Sequence, residues 1–251
     1  MTRRDWPPGA PVGEYRGMET SSVDSPPRPP RSRAVLGTAW LLALCSALLT
    51  VLVAAEWGPL LAVDGDISRT THRWAVDERG LTQTFRVLTD WVWDPLTMRL
   101  LCAVAVLWLG LRGGAWWTAV WLGLTVALGT VVQQGLKAAV DRARPVWPDP
   151  VDSAHYAAFP SGHAMTATVV CGLLVWLLHR HGAARALRRA ALAVAVVSVA
   201  GVGLTRVWLG VHWPTDVLGG WLLGALVVTV AVLAYGRWSP QRAGRVGATA
   251  P

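Results

Sequence analysis

Six long apolar segments alternate with short polar connections along the chain. Each is close to the roughly 20 residues that an α-helix needs to cross the hydrocarbon core of a bilayer. The segments are 35–55, 95–111, 115–136, 163–178, 190–204 and 214–235. The fourth and fifth are short, so we expect their helices to continue for a few residues. The pattern predicts an all-α fold, a bundle of six transmembrane helices.

The stretch between the first two segments, 56–94, has a mixed character. Apolar positions at Leu81, Phe85, Leu88 and 91–93 recur among charged residues. This spacing is typical of helices that lie along a membrane surface with one apolar face. We therefore predict one or two amphipathic surface helices there. His72 and Arg73 are interpreted as part of its solvated face.

The two ends of the chain differ from the apolar middle. Residues 1–34 are rich in Pro, Gly, Ser and Arg, a composition that cannot build a packed core. We predict a disordered cytoplasmic tail over 1–34, a membrane domain over 35–236, and a second cytoplasmic tail over 237–251. The apolar segment 35–55 has the length of a bilayer span, so a retained helix is favoured over a cleaved signal peptide.

The overall composition supports a membrane protein. Of the 251 residues, 53% are hydrophobic and 15% are charged, where a soluble domain carries roughly 25% charged residues. The formal net charge is +8, but the basic residues lie between apolar segments and form no continuous stripe, which argues against a nucleic-acid binder. Cys45, Cys102 and Cys171 all lie in apolar segments, without the spacing of a metal site.

The basic residues also predict how the chain is oriented. Four arginines occupy the short connection between the fourth and fifth segments: Arg180, Arg185, Arg188 and Arg189. More arginines lie in the N-terminal tail and after the sixth segment. Because basic loops stay on the cytoplasmic side, we predict a multi-pass protein of the cell membrane with both termini in the cytoplasm.

This orientation places the ends of four helices on the extracytoplasmic face. The third and fifth segments end there, and the fourth and sixth begin there. Residues that could bind a ligand or take part in catalysis are concentrated at these four ends: Lys137, Arg144, Ser161, Gly162, His163, Thr205, Arg206, His212 and Asp216. Asp141, Arg142 and His155 lie nearby, and we expect ordinary loop roles for them.

The cations in this group suggest a phosphate site. Lys137, Arg144 and Arg206 provide three positive charges, and guanidinium groups match the geometry of phosphate oxygens. Ser161 is a candidate N-cap, and Gly162 lets a ligand approach the backbone at a helix N-terminus, where free N–H groups favour an anion. The sequence therefore predicts that this face binds a phosphoryl group.

The two histidines suggest a reaction. His212 precedes Asp216 by four residues, so a carboxylate can fix its tautomer and strengthen the other ring nitrogen as a nucleophile. His163 lies beside the anion site, where an imidazolium can protonate a leaving oxygen. These are the parts that phosphoryl transfer requires, with no metal or other cofactor.

Three motifs in this region resemble a known family. They are K-x6-RP from Lys137 to Pro145, PSGH from Pro160 to His163, and an SR-x5-H-x3-D pattern from Thr205 to Asp216. Their order and spacing are similar to the signature of the type 2 phosphatidic acid phosphatase superfamily, membrane lipid phosphatases whose pocket is related to that of vanadium haloperoxidases.

The resemblance implies a role for each matching residue. It implies a phosphohistidine on His212, with His163 as the acid and Asp216 as the partner of His212. It also implies phosphate contacts from the other motif residues: Lys137, Arg144, Ser161, Gly162 and Arg206. Thr205 replaces the usual serine but keeps a hydroxyl, so we expect it to contact phosphate as well.

Together these observations predict an integral membrane phosphatase that hydrolyses a lipid phosphate or a polyprenyl diphosphate without a metal. Diacylglycerol phosphates, phosphatidylglycerophosphate and undecaprenyl diphosphate all stay open as substrates. The alternatives are a lipid phosphotransferase, a non-catalytic protein that binds or transports a phosphate lipid, and a structural membrane scaffold. The sequence gives no prediction of the oligomeric state.

Overall fold

The computed structural model describes residues 30–111 and 114–238, and every regular element in that part of the chain is helical. The helices are α1 (Pro30–Ala54), α2 (Gly58–Asp77), α3 (Arg79–Val87), α4 (Pro95–Leu111), α5 (Trp116–Val140), α6 (Gly162–Arg180), α7 (Arg185–Trp208) and α8 (Pro214–Trp238). A π-helical turn, Leu88–Val92, continues α3.

The predicted six-helix membrane fold is confirmed. Within the described ranges, six helical regions are long and apolar enough to cross a membrane: Arg33–Ala54, Arg79–Leu111, Trp116–Val140, Gly162–Arg180, Arg185–Trp208 and Pro214–Trp238. The two segments that were short in the sequence are longer in the structure, as expected. The second region combines α3, the π-helical turn and α4.

The predicted tails, 1–34 and 237–251, lie outside the described residues except where helices continue into them. Helix α1 begins at Pro30, about one turn before the predicted boundary, and α8 ends at Trp238. Proline suits the first turn of a helix because it has no N–H to leave unpaired there. The apolar pattern begins only at Val35, and the helix extends beyond it into the polar residues on its N-terminal side.

Helices α2 and α3 occupy the stretch that the sequence predicted to be amphipathic. On α2 the buried face is largely polar, with Asp64, Ser68 and His72 all at most 5% exposed. The solvated position expected for His72 is therefore wrong, whereas Arg73 is exposed as expected. Large apolar residues such as Trp74 point outward and are half exposed. This helix packs against α7 and α8. Its buried polar face therefore lies against the helices that carry the predicted motifs.

The core of the bundle surrounds α6, which packs against α4, α5, α7 and α8. Its largest buried apolar cluster takes residues from all of these except α8: Met98, Cys102, Leu109, Ala119, Leu122, Ala167, Val170 and Val202. In a membrane, close van der Waals packing of this kind holds helices together. Outward-facing residues such as Trp40, Leu44 and Val131 are more than two thirds exposed, as lipid contact requires.

Small residues on α8 let it approach α6 very closely. A Cβ atom at Gly220 would lie 2.8 Å from the backbone oxygen of Ser161, and one at Gly224 would lie 3.0 Å from that of Met165. The N–H of Ser161 donates to the carbonyl of Asp216 at 2.9 Å. The starts of α6 and α8 are therefore held side by side.

Candidate active site

Four helix ends meet at one end of the bundle: the last turns of α5 and α7 and the first turns of α6 and α8. The predicted site residues lie on these ends and on the loops that join them: Lys137, Arg144, Ser161, Gly162, His163, Thr205, Arg206, His212 and Asp216. His163 lies near His212 and within electrostatic range of the three cations Lys137, Arg144 and Arg206. By contrast His179 lies in the last turn of α6, about 24 Å from His163 along the helix.

His212 lies at the centre of this region and is only 2% exposed. Its Nδ1 is 3.3 Å from Oδ2 of Asp216, and its Nε2 is 3.1 Å from Nη1 of Arg144. Because a guanidinium can only donate, Nε2 must carry the lone pair and Nδ1 the proton. The partners therefore assign the tautomer whose Nε2 is available as a nucleophile.

The surroundings also keep His212 neutral. Burial lowers its pKa well below the usual value for histidine, and the charges of Arg144, Arg206 and Lys137 lower that pKa further. A neutral imidazole at physiological pH is the form that can attack phosphorus.

Asp216 is held rigidly behind His212. It is fully buried in the first turn of α8, where the helix dipole favours a negative charge. Its Oδ2 accepts the backbone N–H of Trp213 at 2.8 Å, and its Oδ1 accepts Nη1 of Arg142 at 2.6 Å. With three polar partners, this carboxylate has little freedom to turn away from His212.

The three predicted cations already make polar contacts with the loop between α5 and α6. Nζ of Lys137 donates to the carbonyl of Ala157, and Arg144 donates to the carbonyl of Tyr156 at 2.8 Å. Nη1 of Arg206 is 3.8 Å from Oδ2 of Asp152. Burial lowers the pKa of the Arg144 guanidinium, which nevertheless stays protonated at physiological pH.

Two buried polar groups beside these cations have no hydrogen-bond partner among the described residues: Nε of Arg206 and Oγ of Ser161. Ser161 is the N-cap residue of α6, yet its hydroxyl does not cap that helix. An unpaired buried donor typically costs about 1–3 kcal/mol. A tetrahedral anion at the N-terminus of α6 would satisfy both groups together with the first N–H groups of the helix.

Thr205 differs from the other predicted phosphate contacts. Its side chain is buried, and its hydroxyl donates to the carbonyl of Val202 at 2.8 Å, within α7. A phosphate contact would require this hydroxyl to change partner. The contact from Thr205 therefore stays a prediction.

Comparison with a family model and with known proteins identifies the family of this chain. Residues 118–240 match the PAP2 superfamily model. Phosphatidylglycerophosphatase B of Bacillus subtilis is 36% identical over 113 residues, which cover 43% of this chain and 55% of that protein. Decaprenylphosphoryl-5-phosphoribose phosphatase of Mycobacterium tuberculosis is 31% identical over 155 residues, which cover 61% of this chain and 79% of that protein. The chain belongs to the PAP2 superfamily.

Solved PAP2 structures share the fold. The transmembrane PAP2-type phosphatidylglycerolphosphate phosphatase from Bacillus subtilis superposes with a TM-score of 0.68 at 22% identity, covering 81% of this chain and 98% of that one. LpxE of Aquifex aeolicus superposes with a TM-score of 0.52 at 20% identity, covering 70% and 96%. In sequence, the chain spans about half the length of several relatives, among them 49% of the lipid A 1-phosphatase of Rhizobium johnstonii.

The PAP2 match contains all three motifs and thereby confirms the family resemblance seen in the sequence. It begins in α5, so it leaves out α1 to α4. The site nevertheless reaches beyond it, because the carboxylate of Asp64 on α2 contacts Arg142, at 2.7 Å, and the backbone N–H of Thr215, at 3.0 Å.

Sequence reasoning missed Arg142 and Asp64. The loop role expected for Arg142 is wrong, since its guanidinium bridges Asp216 and Asp64. The sequence contains two weak indications that these residues belong to the site. Arg142 lies two residues before a motif arginine, and Asp64 is an acidic residue directly after the apolar run 60–63. Neither signal says that the two residues meet.

Proposed function

We propose that this chain is an integral membrane phosphatase that hydrolyses a lipid phosphate or a polyprenyl diphosphate through a phosphohistidine on His212. The observation that carries the proposal is the setting of that imidazole. Its Nδ1 faces Asp216, and its Nε2 carries the lone pair and faces Arg144, with Lys137 and Arg206 close by.

In the first step, Nε2 of His212 attacks phosphorus while the bond from phosphorus to the lipid oxygen breaks. His163 donates a proton to the departing oxygen, which leaves as an alcohol or as a lipid monophosphate. An anionic phosphate beside His163 favours the protonated imidazolium that this role needs. Asp216 stabilises the positive charge that develops on the ring of His212.

In the second step, water attacks the phosphohistidine. His163, now neutral, takes a proton from the water, the P–N bond breaks, and inorganic phosphate leaves. The N–H groups at the start of α6 and the hydroxyl of Ser161 stabilise the charge on the phosphoryl oxygens in both steps. Water and the lipid are the substrates, and His212 is regenerated.

The charges around the phosphate support a mechanism without a metal. Lys137, Arg144 and Arg206 supply the positive charge that a divalent ion provides in other phosphoryl-transfer enzymes. The same three charges would repel a divalent cation from the phosphoryl oxygens. We therefore propose that the protein needs no cofactor.

The names of the relatives support a lipid substrate. They include phosphatidylglycerophosphatase B, lipid A 1-phosphatase, decaprenylphosphoryl-5-phosphoribose phosphatase and the undecaprenyl-diphosphatase of Sulfolobus acidocaldarius. All of these names combine a lipid with a phosphate group that is removed. We propose a substrate of the same class, with its tail entering sideways between helices from the bilayer.

We also propose that the site faces the extracytoplasmic side, with both termini in the cytoplasm. The arginines expected to remain inside lie at the end of α6 and in the first turns of α7, at the opposite end of α6 from His163. A reporter that is active only outside the cytoplasm, inserted after Trp147, should be active. The same reporter after Gly182 should be inactive, and the reverse pattern would contradict this orientation.

The function is tested with protein purified in detergent. The substrate panel contains phosphatidic acid, phosphatidylglycerophosphate and undecaprenyl diphosphate, and each assay measures phosphate release with and without a chelator. We expect release in both conditions and an acid-labile, base-stable phosphoenzyme. The His212→Gln variant should lose both, whereas His179→Gln, an exposed histidine at the other end of α6, should keep both.

Other outcomes would favour the alternatives. Near wild-type phosphate release by His212→Gln would contradict the proposal, and loss of activity with chelator would contradict its metal-free form. Transfer of the phosphoryl group to an added alcohol in preference to water would indicate a phosphotransferase. Movement of labelled lipid across liposomes without phosphate release would indicate a transporter.

A further inference from the structure

A line of buried charged groups extends from His212 away from the phosphate site. His212 contacts Asp216 at 3.3 Å, Asp216 accepts Nη1 of Arg142 at 2.6 Å, and Nη2 of Arg142 donates to Asp64 at 2.7 Å. The side chains of Asp64, Arg142 and Asp216 are 1%, 9% and 0% exposed. The line ends on α2, outside the segment that matches the family.

Asp64 is fully bonded in this position. Its Oδ1 accepts the backbone N–H of Thr215 at 3.0 Å, and its Oδ2 accepts the Thr215 hydroxyl as well as Arg142. The Thr215 hydroxyl in turn accepts Nη1 of Arg142 at 2.7 Å. Asp64 therefore fixes both the first turn of α8 and the guanidinium that holds Asp216.

The charges along the line explain why two carboxylates are present. Arg142 and Asp216 alone would sum to zero, leaving no net negative charge behind the ring of His212. With Asp64 the three groups sum to −1, which balances the positive charge that a phosphorylated imidazole ring carries. Because buried charges interact strongly, the second carboxylate restores to Asp216 the stabilising effect that Arg142 removes.

We propose that Asp64 and Arg142 are positioning residues for the reaction at His212, with Arg142 aiming Asp216 at Nδ1 and Asp64 balancing the charge of Arg142. This inference rests on the proposed function. It gives the surface helix α2 a part in catalysis, because α2 supplies the outer carboxylate of the line.

A purely structural role predicts something different. If Asp64 only anchored α2, its loss would lower the fraction of correctly folded molecules, but each folded molecule would react at the normal rate. The amplitude of the trapped phosphoenzyme counts competent molecules, and the rate of its formation reports the chemistry in each of them. The two roles can therefore be separated in one measurement.

The experiment uses Asp64→Asn, which keeps the size and most of the hydrogen-bonding capacity of the side chain but removes its charge. The matched control is Asp66→Asn on the same helix, whose carboxylate is 76% exposed and pairs with Arg69. Both full-length variants are purified in detergent. They are assayed with the radiolabelled lipid that is hydrolysed fastest in the substrate panel.

For Asp64→Asn we expect the phosphorylation rate and kcat to fall about 10- to 100-fold. This is the range typical of losing a residue that orients a metal-binding histidine through its second ring nitrogen. The KM of Asp64→Asn should stay within about twofold of wild type. The phosphorylation rate of Asp66→Asn should also stay within about twofold of wild type. A second variant, Arg142→Lys, keeps the charge but lacks the planar fork of donors that reaches both carboxylates and the Thr215 hydroxyl, so its rate should fall as well.

A wild-type rate per trapped site in Asp64→Asn would overturn the inference, even if the amplitude fell. Failure of both variants to fold would also overturn it, because the network would then hold the fold and not tune His212. The proposed function fails separately, through His212→Gln. If that variant is inactive and Asp64→Asn is not impaired, only the present inference is lost.

Discussion

The guanidinium of Arg144 donates to Nε2 of His212 across 3.1 Å, so a cation covers the nitrogen that we propose as the nucleophile. The same side chain is held by the carbonyls of His155, Tyr156 and Val211. When phosphorus approaches Nε2, a phosphoryl oxygen must take over the N–H that His212 now accepts. Arg144 would then pass from the nucleophile to the substrate with little movement.

This relationship predicts a large effect of Arg144→Lys. A lysine keeps one positive charge but lacks the planar set of donors that contacts His212 and the loop carbonyls together. We expect kcat/KM to fall about 100- to 1,000-fold, as when a donor to a developing oxyanion is removed. Steady-state kinetics on the best panel lipid measure this directly.

The matched control for that prediction is Arg79→Lys, an exposed arginine at the start of α3. It should keep wild-type kinetics, since its side chain is exposed at the surface. An Arg144→Lys variant within about threefold of the control would mean that charge alone suffices at this position. The idea that the Arg144 N–H changes its acceptor from His212 to a phosphoryl oxygen would then be wrong.

The lowered pKa of His212 predicts how stability depends on pH. In the unfolded chain this histidine takes up a proton near pH 6.5, whereas in the folded protein it stays neutral well below that value. The unfolded state therefore binds more protons below about pH 6.5, and the free energy of unfolding decreases as the pH falls. One such group contributes at most about 1.4 kcal/mol per pH unit.

Thermal unfolding in detergent between pH 7 and pH 5 measures this contribution. The melting temperature of the wild type should fall more steeply than that of His212→Gln, which has no proton to gain at this position. Parallel curves for the two proteins would show that the folded state protonates His212 as readily as the unfolded chain. Its surroundings would then not keep it neutral.

Much of the fold could be predicted because a bilayer imposes simple rules. A helix that crosses it needs about 20 apolar residues, and each crossing moves the chain to the opposite face. Counting crossings from the arginine-rich connections placed Lys137, His163, Arg206 and His212 on one face, and the structure brings them together. The spacing of residues within each motif then predicted which helix end or adjoining loop each of them occupies.

The outer part of the site could not be predicted in this way. Asp64 meets Arg142 only because α2 packs against α7 and α8 with its polar face inward. Nothing in the local sequence of α2 specifies that partner, since the two residues are 78 positions apart. The contact between Asp64 and Arg142 depends on long-range packing. The helices and the motif residues could be predicted because they depend on hydrophobic periodicity and on spacing within short segments.

Asp152 competes with a bound phosphate for Arg206. Its carboxylate lies 3.8 Å from that guanidinium and is 17% exposed, so it neutralises part of the charge that an anion would meet. Asp152→Asn should therefore strengthen the binding of vanadate, a phosphate mimic, by about two- to fivefold, the range expected for one weak ion pair. Vanadate-dependent shifts of the melting temperature measure the affinity.

The control for that change is Asp149→Asn in the same loop. Its carboxylate is 61% exposed and contacts His72, so vanadate affinity should not change. Weaker binding in Asp152→Asn would reverse the expected sign. It would show that Asp152 holds Arg206 in the position that the anion needs.

The close approach of α6 and α8 predicts a strong effect of a single methyl group at Gly220. An alanine Cβ there would lie 2.8 Å from the backbone oxygen of Ser161 and 3.0 Å from the backbone nitrogen of Met165, and neither backbone atom can move without shifting the start of α6. Gly220→Ala should cost about 1–3 kcal/mol of stability, as overpacking typically does, and should lower activity by displacing the N–H groups that face the phosphate. Gly236→Ala on the same helix meets nothing within 4 Å and should leave the melting temperature unchanged or slightly raised. Equal melting temperatures and activities for the two variants would mean that α8 does not hold the start of α6 in place.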